Sequence, residues 1–271
     1  LAGLIGVVSM NKFKEIKIPI PPLPTQKLIV SILDKSFEKI SKAKENAEKN
    51  LKNAKEIFES YLQNIFETKC EGWEEKKLGE IGITQTGTTP KTSNKENYGN
   101  YIPFITPADV DIFGDGVIRY RDEGLSEVGL KNGRKILADS ILMVCIGATI
   151  GKVGFTEHDV SCNQQINSLT VKKEFYPKFF YYALSTKSFF EQVMKNASQA
   201  TLPIINKSKW ENLNVNFPKS ISEQKSIVTK LDSLSAETKK LERIYQQKLN
   251  DLEELKKAIL QKAFNGELTK D

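Results

Sequence analysis

Residues able to do chemistry are few in this sequence, and their spacing argues against most of it. One histidine, His158, and three cysteines, Cys70, Cys145 and Cys162, with no Cys-x-x-Cys pair, give little from which to build a Ser-His-Asp triad, a His-based metal site or a zinc knuckle. Glu15-Ile16-Lys17 has the carboxylate-lysine spacing of a nuclease, but a second copy of the same segment has Glu211, Asn212 and Leu213 there. There is no Asn-Pro-Pro-Tyr or Asp-Pro-Pro-Tyr to hold an amine for methyl transfer, and no strand leads into a Gly-x-Gly cofactor turn. Gly147-Ala148-Thr149-Ile150-Gly151-Lys152 is one residue short of a phosphate loop and continues with Val153 rather than Ser or Thr. Intrinsic catalysis, a bound metal and a bound cofactor are therefore not expected.

Three polar stretches have chemistry suited to a polyanion. Gly87-Thr88-Thr89-Pro90 followed by Lys91-Thr92-Ser93-Asn94-Lys95 offers hydroxyls and ammonium groups for phosphates; a solvated turn would have the same composition. Asn163-Gln164-Gln165 and Asn206-Lys207-Ser208 carry amides that can bond an adenine edge bidentately, and such residues also cap turns.

The elements that must position these residues follow from an internal repeat. Gln26-Lys27-Leu28-Ile29-Val30-Ser31-Ile32-Leu33-Asp34 returns as Gln224-Lys225-Ser226-Ile227-Val228-Thr229-Lys230-Leu231-Asp232, and at this offset of 198 there are 12 identities in the 41 positions from Gln26 to Phe66. In each copy a short extended piece, Ile16–Ile20 or Leu213–Phe217, ends at proline, and Pro24-Thr25 or Ser222-Glu223 opens a helix. Apolar residues then fall on a 3-4 spacing at Phe37, Ile40, Ala47, Leu51, Ala54, Phe58, Tyr61 and Ile65. In the second copy they fall at Leu234, Leu241, Tyr245, Leu252, Leu255 and Ile259, with polar Thr238 and Lys248 in seam positions. A narrow stripe on a Lys/Glu surface is a coiled-coil seam, so two long helices are expected to pair antiparallel. About 30 helical residues reach ~45 Å, beyond the ~34 Å turn of B-DNA, so such a stalk is also a ruler.

Between the copies the composition changes to short apolar runs and most of the glycines and aromatics. Strands are expected at Tyr101–Ile105, Ser140–Ile146 and Ile166–Val171, and one amphipathic helix over Tyr176–Lys195. The fold class is thus α+β: one mixed α/β domain flanked by two long helices. The expected boundaries are an extended piece or the tail of a preceding domain at 1–24, the first helix at 25–69, the domain at 70–208, a connection at 209–223 and the second helix at 224–271.

The 271 residues carry 40 Lys plus Arg against 34 Asp plus Glu, a formal +6. The central segment 71–208 has 16 of each sign, so the excess lies in the repeated arms and bulk charge does not mark a nucleic-acid surface. Only local clustering, such as Arg119, Arg121, Lys131, Arg134 and Lys135, could do so. No apolar run approaches the ~18 residues of a membrane span, and unpaired cysteines fit a reducing cytoplasm.

In this order around the repeat, the residues resemble the specificity subunits of type I restriction-modification systems. The resemblance rests on Ile18-Pro19-Ile20-Pro21-Pro22-Leu23-Pro24-Thr25-Gln26, Gly72-Trp73 with Lys77-Leu78-Gly79-Glu80-Ile81, Thr86-Gly87-Thr88-Thr89-Pro90, and Tyr98 through Ile102-Pro103-Phe104-Ile105. Gly147 to Gly154 with Asn163-Gln164-Gln165 and the terminal Leu260–Leu268 complete it, so that it covers residues 12 to 268. Thr88 and Phe104 depart from the family's usual glycine and tryptophan. The resemblance implies a target recognition domain that reads one half of a split double-stranded DNA site, helices that set the spacing, and no catalytic residues. Methyltransferase subunits with S-adenosylmethionine would dock on it, and a restriction and translocation subunit would use ATP and Mg²⁺. The residues expected at DNA are Lys91, Thr92, Ser93, Asn94, Lys95, Arg119, Arg121, Arg134, Lys152, Gln164, Gln165 and Lys207. The family's usual subunit has two recognition domains and this chain has one complete one. Either a first domain is missing, or a half-subunit pairs with a second copy through its helices. A coiled-coil scaffold without DNA binding and an enzyme with an unrecognised site are the alternatives.

Overall fold

A computed structural model of the chain describes residues 14–15, 18, 20–68, 72–111, 116–198 and 201–269. The expected domain tail in residues 1–11 and most of the first extended piece lie outside the described residues. The helices are α1 (Leu23–Glu67), α2 (Leu78–Ile81), α3 (Glu127–Asn132), α4 (Pro177–Leu184), α5 (Lys187–Asn196), α6 (Lys207–Glu211) and α7 (Ile221–Phe264). The strands are β1 (Trp73–Lys77), β2 (Gly82–Thr86), β3 (Tyr98–Gly99), β4 (Phe104–Ile105), β5 (Gly124–Leu125), β6 (Ser140–Val144), β7 (Val153–Phe155), β8 (Ser161–Cys162), β9 (Ile166–Val171) and β10 (Asn214–Pro218). Two compact units result, residues 1–56 with 238–271 and residues 57–237.

In the first unit the two long helices pack together, and an ion pair and a cation–ring contact set the direction. Lys44 Nζ meets a Glu253 carboxylate oxygen at 2.7 Å, while Lys256 Nζ lies 5.5 Å from the Phe37 ring centre. Moving back along α1 moves forward along α7, so the pair is antiparallel. Ile40, Ala47 and Ala54, seven residues apart, are the buried positions of α1 within this unit, and alanine there lets the partner backbone approach. On α7 the facing row is Thr238, Tyr245, Leu252 and Ile259, buried or half-buried. Leu241 and Leu255, expected in the seam, are 39% and 48% exposed. The second row instead runs through half-buried Leu249, beside exposed Lys248, because a helix of 3.6 residues per turn drifts off a strict 3-4 alternation. At the end of α7, Gly266 takes φ +73° and its N–H closes on the Ala263 carbonyl at 3.2 Å, the left-handed residue that stops a helix.

The second unit is built on a four-stranded antiparallel sheet in the order β2-β9-β6-β7. Every residue of β6 is buried, and its apolar side chains alternate between two cores. Ile141 and Met143 join a cluster with Phe179, Phe180, Leu184, Phe189, Trp210, Leu62 and Leu231, whereas Leu142 and Val144 join Ile105, Val110, Ile118, Ile136 and Val160. A sheet covered on both faces explains why Ser140–Ile146 reads as an unbroken apolar run instead of alternating. One face carries α4 and α5 with the neighbouring turns of the long helices. The other carries a loop-rich layer joined by the parallel pair β4-β8. β1 and β10 form a separate antiparallel pair, Trp73 opposite Pro218.

Two expectations change. The single helix over Tyr176–Lys195 is two helices: Thr186 accepts the Phe189 N–H at 3.2 Å as an N-cap and donates to the Ala183 carbonyl at 2.8 Å, ending α4 and starting α5. The strand expected at Tyr101–Ile105 is regular only at Phe104–Ile105, and Ile102 makes a lone bridge to Leu125.

Candidate nucleic-acid interface

The antiparallel registers bring four segments to one end of the sheet. β2 stops at Thr86, β9 starts at Ile166, β6 stops at Val144 and β7 starts at Val153, so the connections after 86, before 166 and from 145 to 152 emerge side by side. They are bonded to each other. Gly87 N–H donates to the Ile166 carbonyl and Thr88 N–H to the Cys162 carbonyl, both at 2.9 Å, and Cys145 N–H donates to the Gln165 carbonyl at 2.8 Å. Gly87 has to be glycine, because a Cβ there would lie 2.2 Å from the Asn163 carbonyl oxygen and 2.3 Å from that of Cys162. A fourth segment follows β4, since Asn163 N–H donates to the Ile105 carbonyl at 3.1 Å.

This platform presents several of the residues expected at DNA. Lys91, Thr92, Ser93 and Lys95 are exposed on the loop after β2. Asn94 is also exposed, but its side chain accepts the Glu96 N–H at 3.2 Å and caps the 3-10 turn Lys95–Asn97. Gln164 accepts Thr89 Oγ1–H at 2.5 Å through Oε1, which leaves its amide N–H groups outward. Gln165 instead accepts from Asn163 Nδ2 at 3.0 Å and is half-buried. Arg134, two residues after the end of α3, donates through Nη1 to the Thr86 carbonyl at 2.6 Å. Lys152 donates to the Asp111 carbonyl at 3.1 Å, tying the β6-β7 connection to the segment after β4.

Arg119 and Arg121 lie two residues apart on an extended run in which Ile118 and Tyr120 face the second core, so both arginines face outward. Arg119 N–H donates to the Asp109 carbonyl at 2.8 Å, and Arg121 Nε donates to Asp109 Oδ1 at 2.6 Å. Lys207 stands apart: it is on α6, paired with Glu211 and 3.2 Å from Thr84 Oγ1, at the middle of β2 and away from its end. The Lys207 ammonium, followed by a 2.7 Å hydrogen bond from Thr84, holds the Glu211 carboxyl below the usual carboxylate range. Asp159 is lowered in the same way, first by Lys135 and then by the Ala138 N–H.

The Gly147–Lys152 segment joins two antiparallel strands and opens no helix. Gly147 and Gly151 take φ +99° and +90°, so the geometry is that of a hairpin, not a phosphate cradle. Cys145 and Cys162 are buried, and burial pushes both thiols up to about 12, which keeps them protonated and unreactive. Among the described residues no helix is long and apolar enough to cross a membrane.

Asp109 was missed by the sequence reading. The signal was present: Thr106-Pro107-Ala108-Asp109 has the spacing of a capping box, and Asp109 Oδ2 accepts Thr106 Oγ1–H at 2.6 Å and Thr106 N–H at 3.1 Å.

The chain thus combines a long antiparallel helix pair with a two-core α/β domain whose polar loops gather at one end of its sheet. The sequence profile described as the type I restriction modification DNA specificity domain matches residues 2–51 and 70–254, and the chain belongs to that family. It is 33% identical over 206 residues to the type I restriction enzyme HindI specificity subunit of Haemophilus influenzae, covering 73% of this chain and 42% of that protein. It is 25% identical over 300 residues to the EcoBI specificity subunit of Escherichia coli, covering 97% and 60%. A chain solved in a study of assembly and conformational transition of the type I restriction-modification system has a TM-score of 0.76 at 24% identity, covering 92% of this chain and 61% of that one. The HsdS subunit of Thermoanaerobacter tengcongensis has a TM-score of 0.61 at 23% identity, covering 98% and 65%. The chain thus spans between about two fifths and two thirds of these relatives.

Proposed function

We propose that this chain is the DNA-recognition subunit of a type I restriction-modification complex, reading one half of a bipartite site and scaffolding methyltransferase subunits, and that it is itself non-catalytic. The supporting observation is the set of four bonded loops at one end of a sheet whose two faces are already covered. That end is where Lys91, Thr92, Ser93, Lys95, Arg134 and Gln164 meet solvent together. Lysines and hydroxyls on the first loop fit phosphates, whereas arginine forks and an outward amide fit base edges. The central segment has no net charge, which suits a reader that gains specificity from a few placed groups.

In this reading S-adenosylmethionine, ATP and Mg²⁺ belong to the methyltransferase and restriction subunits, and the complex works in the cytoplasm. Extruding the target adenine is the methyltransferase's task. At ~1.5 Å per residue the 45 residues of α1 extend ~67 Å, enough to hold two half-site readers more than one DNA turn apart. The second reader would sit at the start of α1, where Val30 is 54% exposed while its repeat equivalent Val228 is 2% exposed under this chain's own domain.

Methylome sequencing with and without the gene tests the proposal. Loss of methylation at one bipartite motif is the expected result. An unchanged methylome would favour a scaffold without DNA binding, and turnover of DNA by the purified chain with Mg²⁺ or S-adenosylmethionine would defeat the non-catalytic reading.

A further inference from the structure

Among the charged groups at the interface, one pair has a geometry that surface contacts with phosphate do not need. Asp109 is completely buried, yet it faces a half-exposed arginine. A buried carboxylate is costly unless its oxygens are bonded, and here the bonds are divided. Oδ2 is satisfied locally by the Thr106 N–H and hydroxyl, at 3.1 and 2.6 Å. Oδ1 takes Arg121 Nε at 2.6 Å.

The way Arg121 binds is informative. An arginine whose task is to neutralise a carboxylate commonly does so fork to fork, with two parallel N–H···O bonds. Arg121 uses Nε alone, so among the described residues neither Nη group is bonded. The guanidinium plane is thereby fixed by a rigid anchor, while its outer N–H groups remain free. Asp109 is itself held in the Thr106–Asp109 turn directly after β4, and that turn is tied to the loop platform through Asn163 N–H to the Ile105 carbonyl and Lys152 to the Asp111 carbonyl. Arg119, on the same outward face, has no side-chain partner among the described residues and keeps its rotamer freedom. A flexible cation suits a phosphate; a fork locked before binding suits two acceptors at fixed separation. In the major groove that pair of acceptors is O6 and N7 of guanine.

Building on the recognition role proposed above, we propose that Arg121 is a specificity-determining residue that reads a guanine in the half-site bound by this domain, with Asp109 as its positioning residue. Asp109 does not touch DNA. It lowers the cost of ordering Arg121 and sets the plane in which the free N–H groups project.

The experiment is motif mapping by methylome sequencing in cells whose native gene encodes the wild type, Arg121→Lys, Asp109→Asn, the double variant, or Arg119→Gln. Lysine keeps the charge of Arg121 and loses the fork. Arg121→Lys should therefore leave the rest of the motif intact and lower discrimination at one guanine by about 10- to 100-fold. Asp109→Asn should relax the same position, and the double variant should match Arg121→Lys, because the two residues act as one unit. Arg119→Gln should lower methylation evenly at all sites without changing the motif. If Asp109→Asn fails to accumulate, Arg121→Lys alone decides. A wild-type half-site without guanine, or an unchanged motif with Arg121→Lys, overturns the inference while leaving the recognition role standing. Absence of any gene-dependent motif in the wild type overturns the recognition role, and the inference with it.

Discussion

Gln26 and Gln224, 198 residues apart, make the same kind of bond: each donates its side-chain amide to a proline carbonyl just upstream, Pro21 five residues back at 2.7 Å and Pro218 six residues back at 2.9 Å. Beyond that bond the two copies differ. Gln224 Oε1 accepts the Tyr176 N–H at 2.8 Å, and Asp232 takes Lys178 Nζ at 2.8 Å and the Tyr182 hydroxyl at 2.5 Å. Among the described residues Asp34, the repeat equivalent of Asp232, has no such partner and is exposed. Burial, reinforced by the Asp232 carboxylate, pushes the Tyr182 hydroxyl well above the usual tyrosine range, so it stays a donor throughout the working pH range.

Asp232→Asn and Asp34→Asn should accordingly behave differently in thermal melts. Replacing Asp232 by asparagine removes the charge and leaves one acceptor oxygen for the buried Tyr182 phenol and the half-buried Lys178 ammonium, and should cost about 1–3 kcal/mol, a fall in Tm of several degrees. Asp34→Asn should change stability by less than about 0.5 kcal/mol. Equal effects would mean that the Asp232 contacts contribute no stability beyond what exposed Asp34 contributes.

The Lys207–Glu211 pair predicts a pH signature. The folded state depresses the Glu211 carboxyl below its ordinary value, so its contribution is fully present above the unfolded pKa and is lost as pH falls through the depressed folded value. Glu211→Gln should therefore reduce stability at neutral pH, with the difference from wild type shrinking as the pH drops below about 4.5. Denaturant melts from pH 7 to pH 3 measure it; a difference constant with pH would assign the effect to packing.

The long helices and their pairing could be read from the sequence because a heptad row is a local pattern, and Ile40, Ala47 and Ala54 declare it without reference to anything distant. Strand β9 was legible for a similar reason, as a β-branched run closed by polar residues. The interface was only partly legible. Composition marked the Gly87–Lys95 loop and Gln164, but it could not separate Lys207, which answers Glu211 one helical turn away, from lysines facing solvent. Nor could it find Asp109, whose role depends on Arg121 folding back twelve residues later. Where the chain turns on one hydroxyl, as at Thr186 between α4 and α5, an amphipathic period continues across the break and conceals it.

Gly87 offers a test of the platform itself. Alanine there would place a methyl group against the Asn163 and Cys162 carbonyls, whereas at Gly99 the nearest heavy atom would be the Ser126 Cβ at an ordinary 3.4 Å. Gly87→Ala should cost about 1–3 kcal/mol and weaken DNA binding by displacing the loop from its Ile166 and Cys162 anchors, while Gly99→Ala should leave binding unchanged. Melting curves and titrations on a cognate duplex, with methyltransferase subunits present, distinguish the two.

Salt dependence separates the lysines that geometry has already divided. Lys91 and Lys95 are exposed on the loop after β2, and each phosphate contact a protein makes releases a counterion that steepens the fall of affinity with salt by ~0.9 in the log–log slope. Lys91→Ala and Lys95→Ala should each flatten that slope by about this amount and weaken cognate and non-cognate duplexes alike, leaving the specificity ratio in place. Lys207 is spent on Glu211 and Thr84, so Lys207→Ala should lower Tm with the slope unchanged. Titrations of the assembled complex between about 50 and 200 mM salt give both quantities. A slope change with Lys207→Ala, and none with Lys91→Ala or Lys95→Ala, would move the phosphate-contacting surface from the end of the sheet to the face that carries α6.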